Sequence, residues 1–277
     1  MPKYDMIKAK SGCVDMKIAL AQLDMGFENK DLAKKRCMEL MEKANAGDAD
    51  LIVFPEMTLT GFTMQPQIYG EQKQNSETVA YFQELAKRYH MGIVFGVIFL
   101  ENGKAENHSI VLDKTGAILA DYAKIHPFSY GAEAKYYVGG NEIAYCQMED
   151  MTISPFVCYD LRFPEIFQVA SKKSQCMTVI ANWPKQRIAH WKILLQARAI
   201  ETQSFIVGVN RSGKDHGLTY SGDSMLISPT GEILAHLTEQ NAVQVVEIES
   251  KQAQQYRETF PLKADRKEPL YAKWLQE

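Results

Sequence analysis

Short apolar, β-branched runs recur along this chain: MKIALAQ at 16–22, ADLIVFP at 49–55, MGIVFGVIFL at 91–100, HSIVLD at 108–113, TISPFVC at 152–158, CMTVIAN at 176–182, SFIVGVN at 204–210, SMLISP at 224–229 and AVQVVEI at 242–248. Each has the length of a strand and turn-forming neighbours. Between several of them the period lengthens to that of a helix. NKDLAKKRCMELMEKANAG predicts an amphipathic helix with Leu32, Cys37, Met38, Met41 and Ala44 on one face and Gly47 as its C-terminal stop. SETVAYFQELAKRYH predicts a second. A third, QRIAHWKILLQARAIET at 186–202, is apolar around so much of its circumference that burial on two sides, with a subunit contact, is expected. Hairpins are predicted around Lys114-Thr115-Gly116 and Pro229-Thr230-Gly231.

Strand–helix alternation mixed with hairpins fits an α/β chain. Periodicity leaves open whether two sheets pack face to face under outer helices or one sheet is doubly wound. With 277 residues and 46% hydrophobic composition the chain can fill one large core. No repeat, low-complexity tract or linker marks a second domain. The expected organisation is a leader at 1–15, one domain at 16–248, and a short helix with a polar tail at 249–277.

A net charge of −3, from 31 basic and 34 acidic residues, gives no broad basic face for phosphate backbones, so a small molecule is a better partner than nucleic acid. The longest apolar stretch, ten residues, falls well short of the roughly 20 needed to span a bilayer. The N-terminal residues lack the apolar core of a secretory signal, which makes the cytoplasm the default location. Five cysteines at irregular spacing (Cys13, Cys37, Cys146, Cys158 and Cys176) argue against a disulfide framework. No Cys or His pair has zinc-ligand spacing, so neither a metal nor another cofactor is expected.

Three strings bring chemistry to strand ends. ISPFVCYDLRFPE at 153–165 ends an apolar run at Cys158, LIVFPEMTLTGF at 51–62 delivers Glu56, and DYAKIHPF at 121–128 delivers Lys124. Together they resemble the nitrilase superfamily of carbon–nitrogen hydrolases, which use a Glu-Lys-Cys triad. The resemblance runs from about 16 to about 248 and implies an α-β-β-α sandwich. It implies Cys158 as the nucleophile that forms a thioester, Glu56 as proton shuttle, and Lys124 with the backbone N–H of Tyr159 as the oxyanion site. Glu133, on the Gly-rich loop SYGAEAKYYVGG, corresponds to a second glutamate that orients the lysine and the amide.

CYDLRFPE resembles the Nit-type branch, and ANWP, LLQARAIE and SGDSMLISPTGEI fit its omega-amidases, which hydrolyse the distal amide of 2-oxoglutaramate or 2-oxosuccinamate. A carbamoylase, a deaminated-glutathione amidase and a non-catalytic oligomeric binding module are the competing readings. Arg162 either binds a substrate carboxylate or pairs with Asp160 or Glu165. Asn182 and Trp183 are expected to line the pocket, with Phe62 and Tyr130 completing its walls. His126, close to Lys124, has no papain-like cysteine signature to serve and is read as structural. A homodimer or higher homo-oligomer is expected, the tail packing on a partner subunit.

Overall fold

In the computed structural model the described residues are 15–215 and 217–277, so the expected leader, Asp15 apart, lies outside them. The elements in chain order are β1 (Asp15–Gln22), α1 (Lys30–Ala46), β2 (Leu51–Val53), α2 (Pro66–Tyr69), α3 (Glu77–Tyr89), β3 (Gly92–Glu101), β4 (Lys104–Leu112), β5 (Ile118–Ala123), α4 (Glu133–Tyr136), β6 (Cys146–Met148), β7 (Met151–Val157), α5 (Pro164–Ala170), β8 (Cys176–Ala181), α6 (Ile188–Thr202), β9 (Phe205–Asn210), β10 (Ser212–Asp215), β11 (Leu218–Ser221), β12 (Ser224–Ile227), β13 (Ile233–Leu237), β14 (Ala242–Glu249), α7 (Gln252–Thr259) and α8 (Glu268–Trp274).

The strands form two six-stranded sheets and one hairpin. The first sheet runs β14-β1-β2-β3-β4-β5 and the second β13-β12-β9-β8-β7-β6, while β10 and β11 pair only with each other. Strands β1, β2 and β3 are mutually parallel, as are β7, β8 and β9. One apolar cluster joins the facing sides of the sheets, with Leu20, Val53, Val94 and Tyr122 from the first and Phe156, Ile180 and Leu226 from the second. A second cluster seats α1 and α3 on the outside of the first sheet through Cys37, Leu40, Phe82 and Leu85. Trp191, Leu195 and Ala199 of α6 do the same on the second. Burying each such side chain is worth ~1.5–3 kcal/mol, and four layers result. The doubly wound alternative is thereby excluded.

Helix α1 starts where the Asn29 side chain accepts from Leu32 N at 3.0 Å. It buries Ala33, Cys37, Leu40, Met41 and Ala44. Leu32 and Met38 are only half-buried, so the buried stripe is rotated slightly from the expected one. Gly47 ends the helix with a negative φ of −94°, so handedness is not what requires glycine there. Space is: a Cβ would lie 2.7 Å from Val245 Cγ2 on β14.

Helix α6 divides its apolar surface between two faces. One face is buried within this chain, while Ile193 (66% exposed) and Ile200 (51%) point outward on the face expected at a subunit contact. The tail is pinned over the ends of α5 and α6. Arg257 donates to the carbonyls of Gln203 and Ser174, and Lys263 Nζ to that of Ser171 at 2.6 Å. Burial, and then the charges of Arg257, Arg266 and Lys172, push the Lys263 pKa down to about 7. Among the described residues no helix is long and apolar enough to cross a membrane.

Candidate active site

The parallel strands of both sheets end on one edge of the sandwich, and the three chemical strings end there with them. Beyond β2, Phe54 N still bonds to Val94 O, after which the chain turns through Glu56. Thr58 fastens that turn: its hydroxyl donates to Pro55 O at 2.6 Å and accepts from Gly96 N at 2.9 Å. Gly96 is required by closeness, since a Cβ there would lie 2.2 Å from Met57 N and 2.8 Å from Glu56 C. Lys124 follows β5 and continues its ladder, Lys124 N donating to Asn107 O on β4 at 2.8 Å. The loop after it closes back through Gly140 N to Lys124 O at 2.9 Å. Gly139 and Gly140 abut the carbonyls of Ile125 and Ala123, where a Cβ would come within 2.5 Å.

Cys158 directly follows β7 and adopts φ 48°, a left-handed conformation rare for a non-glycine residue, at the start of the 3₁₀ turn 158–162. Asp160 holds this turn. Its buried carboxylate accepts from Val157 N (3.1 Å), Tyr122 OH (2.8 Å), His126 N (3.1 Å) and His126 Nδ1 (2.8 Å). It thereby ties the cysteine turn to β5 and to the segment carrying Lys124. His126 also stacks on Phe163 at 3.7 Å, in keeping with a structural residue. Neither Asp160 nor Glu165 pairs with Arg162.

Glu56, Lys124 and Glu133 form one buried ionic cluster, each 1% exposed or less. Lys124 Nζ lies 3.1 Å from Glu56 Oε1 and 3.0 and 2.7 Å from the two oxygens of Glu133. Asn107 Nδ2 bridges the same two carboxylates, at 2.7 Å to Glu56 and 3.1 Å to Glu133. Asn182 adds its backbone N–H to Glu56 Oε2 at 2.8 Å and its side-chain amide to Glu56 O at 2.7 Å. Phe128 N donates to Glu133 Oε2 at 2.5 Å, which anchors the loop. The second glutamate is thus inside the cluster and not a solvated surface group.

Burial works against the Lys124 charge, but the charges of Glu133 and Glu56 outweigh it and hold the ammonium protonated. Burial pushes the Cys158 thiol well above its ordinary range, and Glu56 and Glu133 add to this. Lys124 and the Asn182 backbone N–H pull the other way. The balance of these influences favours the thiol over the thiolate. Cys158 is half-buried, whereas Cys37, Cys146 and Cys176 are buried, and all four are free.

Cys158 forms the floor of a cavity of about 270 Å³ whose walls include Phe62, Phe128, Tyr159, Arg162, Trp183 and Arg187. Asn182 also lines it, and the Phe62 ring centroid is 5.6 Å from Lys124 Nζ. Tyr130 does not. It is 87% exposed, because the 3₁₀ turn Ser129–Gly131 carries it outward and leaves Phe128 and Gly131 at the wall. The opposite rim is the β10–β11 hairpin, through Asp215, Leu218 and Tyr220.

Sequence reasoning missed Asn107, Asp160, Arg187 and the hairpin. Asn107 did leave a trace, as the polar residue just before the apolar run HSIVLD. Among the described residues no group of three or more His, Cys, Asp or Glu could hold a metal ion.

The carbon–nitrogen hydrolase family model matches residues 17–258, so the chain belongs to the carbon–nitrogen hydrolases, the nitrilase superfamily, and is an enzyme of that class. It is 30% identical to the 2-oxoglutaramate amidase of Bacillus subtilis (strain 168) over 256 residues, 92% of this chain and 98% of the relative. It is 33% identical to omega-amidase YafV of Escherichia coli (strain K12) over 214 residues, 76% of this chain and 82% of that one. Among solved structures, a carbon–nitrogen hydrolase superfamily protein from Xanthomonas campestris superimposes with a TM-score of 0.86 at 30% identity, covering 91% of this chain and 97% of the other.

Proposed function

We propose that this enzyme is an omega-amidase, cleaving the terminal amide of a short carboxylate-bearing substrate such as 2-oxoglutaramate or 2-oxosuccinamate to the acid and ammonia. The observation that carries the reading is the sealed Glu56-Lys124-Glu133 cluster beneath a half-buried cysteine on the cavity floor. The relatives named for this activity, matched over most of the chain, support the substrate class.

In the first half-reaction Glu56 accepts the thiol proton as Cys158 Sγ bonds to the amide carbon. The carbonyl oxygen gains the negative charge, and Lys124 with Tyr159 N–H receives it. One such donor is typically worth about 3 kcal/mol in the transition state. Glu56 then protonates the nitrogen, the C–N bond breaks, and ammonia leaves a thioester. In the second half Glu56 deprotonates a water that attacks the thioester carbon. The sulfur departs, takes back a proton and releases the acid. Glu133 and Asn107 keep Lys124 charged and Glu56 in place throughout. Arg162 faces the carboxylate end of the substrate, with Phe62, Asn182 and Trp183 forming the walls.

Cys158→Ala is the direct test. Ammonia release from 2-oxoglutaramate should disappear while the unfolding midpoint stays within a degree or two, and a variant that kept full activity would refute the mechanism. Ammonia without carbon dioxide separates an amidase from a carbamoylase. A homodimer is the assembly we infer, seated on the open face of α5 and α6, where Val169, Ile193 and Ile200 are exposed. Sedimentation of an Ile193→Lys variant tests it.

A further inference from the structure

Two guanidiniums line the cavity above Cys158, and among the described residues neither has a carboxylate partner. Arg162 lies over the Trp183 ring at 4.7 Å, and its nearest polar neighbour is His190 Nδ1 at 3.4 Å. Arg187 lies over the Phe128 ring at 5.6 Å. Its place is fixed from behind, because Trp183 Nε1 donates to its backbone carbonyl at 2.8 Å. The two cations are close enough to feel each other: burial, and further the Arg187 charge, lower the Arg162 pKa, against an opposite pull from Tyr159.

Among the described residues the cavity wall contains one carboxylate, Asp215, and it is already committed. Arg211 grips it through Nη1, and Tyr220 OH lies 3.3 Å away. Arg211 is itself fully buried and stacked 4.3 Å from the Tyr220 ring, so the pair is part of the hairpin's framework. The cavity therefore presents two free positive charges and no free negative one.

We propose that Arg187, acting with Arg162, is a specificity-determining residue that admits omega-amides with an uncompensated anionic head and turns away their 2-amino counterparts. This rests on the amidase reading above. A carboxylate beside a 2-oxo group offers only acceptor atoms and a net negative charge, which suits two positively charged donors. A 2-ammonium group adds a positive charge beside two guanidiniums, where among the described residues no free carboxylate balances it. Discrimination by an unmatched charge works through repulsion of the wrong substrate as much as attraction of the right one. The same physics keeps free glutamine from being hydrolysed by a site whose chemistry would otherwise suit its side-chain amide.

The test is ammonia release from 2-oxoglutaramate, glutaramate, glutamine and neutral butyramide by the wild type, Arg187→Gln and Arg187→Lys. Losing one charge-assisted contact corresponds to roughly tenfold or more in affinity. Arg187→Gln should therefore raise KM for 2-oxoglutaramate and glutaramate by at least that factor relative to butyramide. The ratio of 2-oxoglutaramate to glutamine kcat/KM should shrink by a similar factor, and Arg187→Lys should restore most of it. Equal losses on all four substrates, no loss on any, or a lysine variant as poor as the glutamine one would overturn the proposal.

If Arg187→Gln fails to fold, inhibition of the wild type decides. 2-Oxoglutarate should compete at least tenfold better than glutamate, and equal inhibition would overturn the idea. Failure of the amidase reading looks different, because the wild type would then release ammonia from none of the four, and this inference would fall with it.

Discussion

Asp160 gives the sharpest test of how the proposed nucleophile is held. Its carboxylate takes two donors on each oxygen, Val157 N and Tyr122 OH on Oδ2 and His126 N and Nδ1 on Oδ1. Asp160→Asn keeps the shape and turns one oxygen into a donor. With the amide group on the Oδ2 side, the tyrosine hydroxyl can rotate to accept, but Val157 N–H cannot, and it is left buried and unpaired. With the group on the Oδ1 side, His126 N–H meets the same fate. Either way at least one charge-assisted bond is lost, worth ~1.5–3 kcal/mol, and an orphaned donor adds to the cost. A loss of about 3 kcal/mol is expected, a sizeable share of the ~5–15 kcal/mol by which domains are stable. Because the turn forces Cys158 to φ 48°, loosening it should also let the sulfur drift from its line of attack. Urea unfolding gives the first quantity, and kcat with the rate of Cys158 alkylation gives the second. An Asp160→Asn enzyme within about 0.5 kcal/mol of wild type and with unchanged kcat would show that the turn does not need this anchor.

Three further outcomes follow from the same geometry. Lys124→Ala removes one of the two influences that lower the thiol pKa, so the pH midpoint for iodoacetamide alkylation of Cys158, followed by intact mass, should move upward; a downward or absent shift would contradict the electrostatics. Gly96→Ala drives a methyl into the backbone at Glu56 and Met57, and should cost both stability and kcat, whereas thermal melting and turnover equal to wild type would refute the steric argument. Lys263 has its folded pKa depressed to about 7 from an ordinary 10.5, so the unfolded chain binds more protons between those values. Its destabilising charge is fully present below pH 7 and relieved as pH rises, so wild-type stability relative to Lys263→Met should climb from pH 7 to 9. A flat difference in urea midpoints would rule this out.

Much of this molecule was readable from local pattern. The apolar runs at 16–22, 91–100, 152–158, 176–182 and 204–210 became core strands because their side chains can be buried only in a sheet covered on both faces. Glu56, Lys124 and Cys158 were singled out because each follows a strand-like run with a polar group and their three strings together resemble one family's motifs. What could not be read depends on distant partners. The hairpin 212–221 is largely polar, and its place over the site is set by Arg211 and Asp24, far apart in sequence. Asp160 looked like a turn residue, and only the fold brings Tyr122 and His126 to it. Tyr130 and Phe128 are two residues apart in an aromatic loop, and a single 3₁₀ turn decides which faces inward. For Arg162 the sequence left open a carboxylate ligand or an internal ion pair, and Arg187 gave no signal; that neither has a carboxylate partner among the described residues is visible only in the fold.

Glu56 and Lys124 are contributed by one sheet and Cys158 by the other. Their alignment is thus a matter of how two slabs sit on each other, with the apolar interlayer serving as the jig. A slip of an ångström between slabs would leave both sheets hydrogen-bonded and the reaction stalled, which makes turnover a more demanding reporter of native register than any measure of secondary structure.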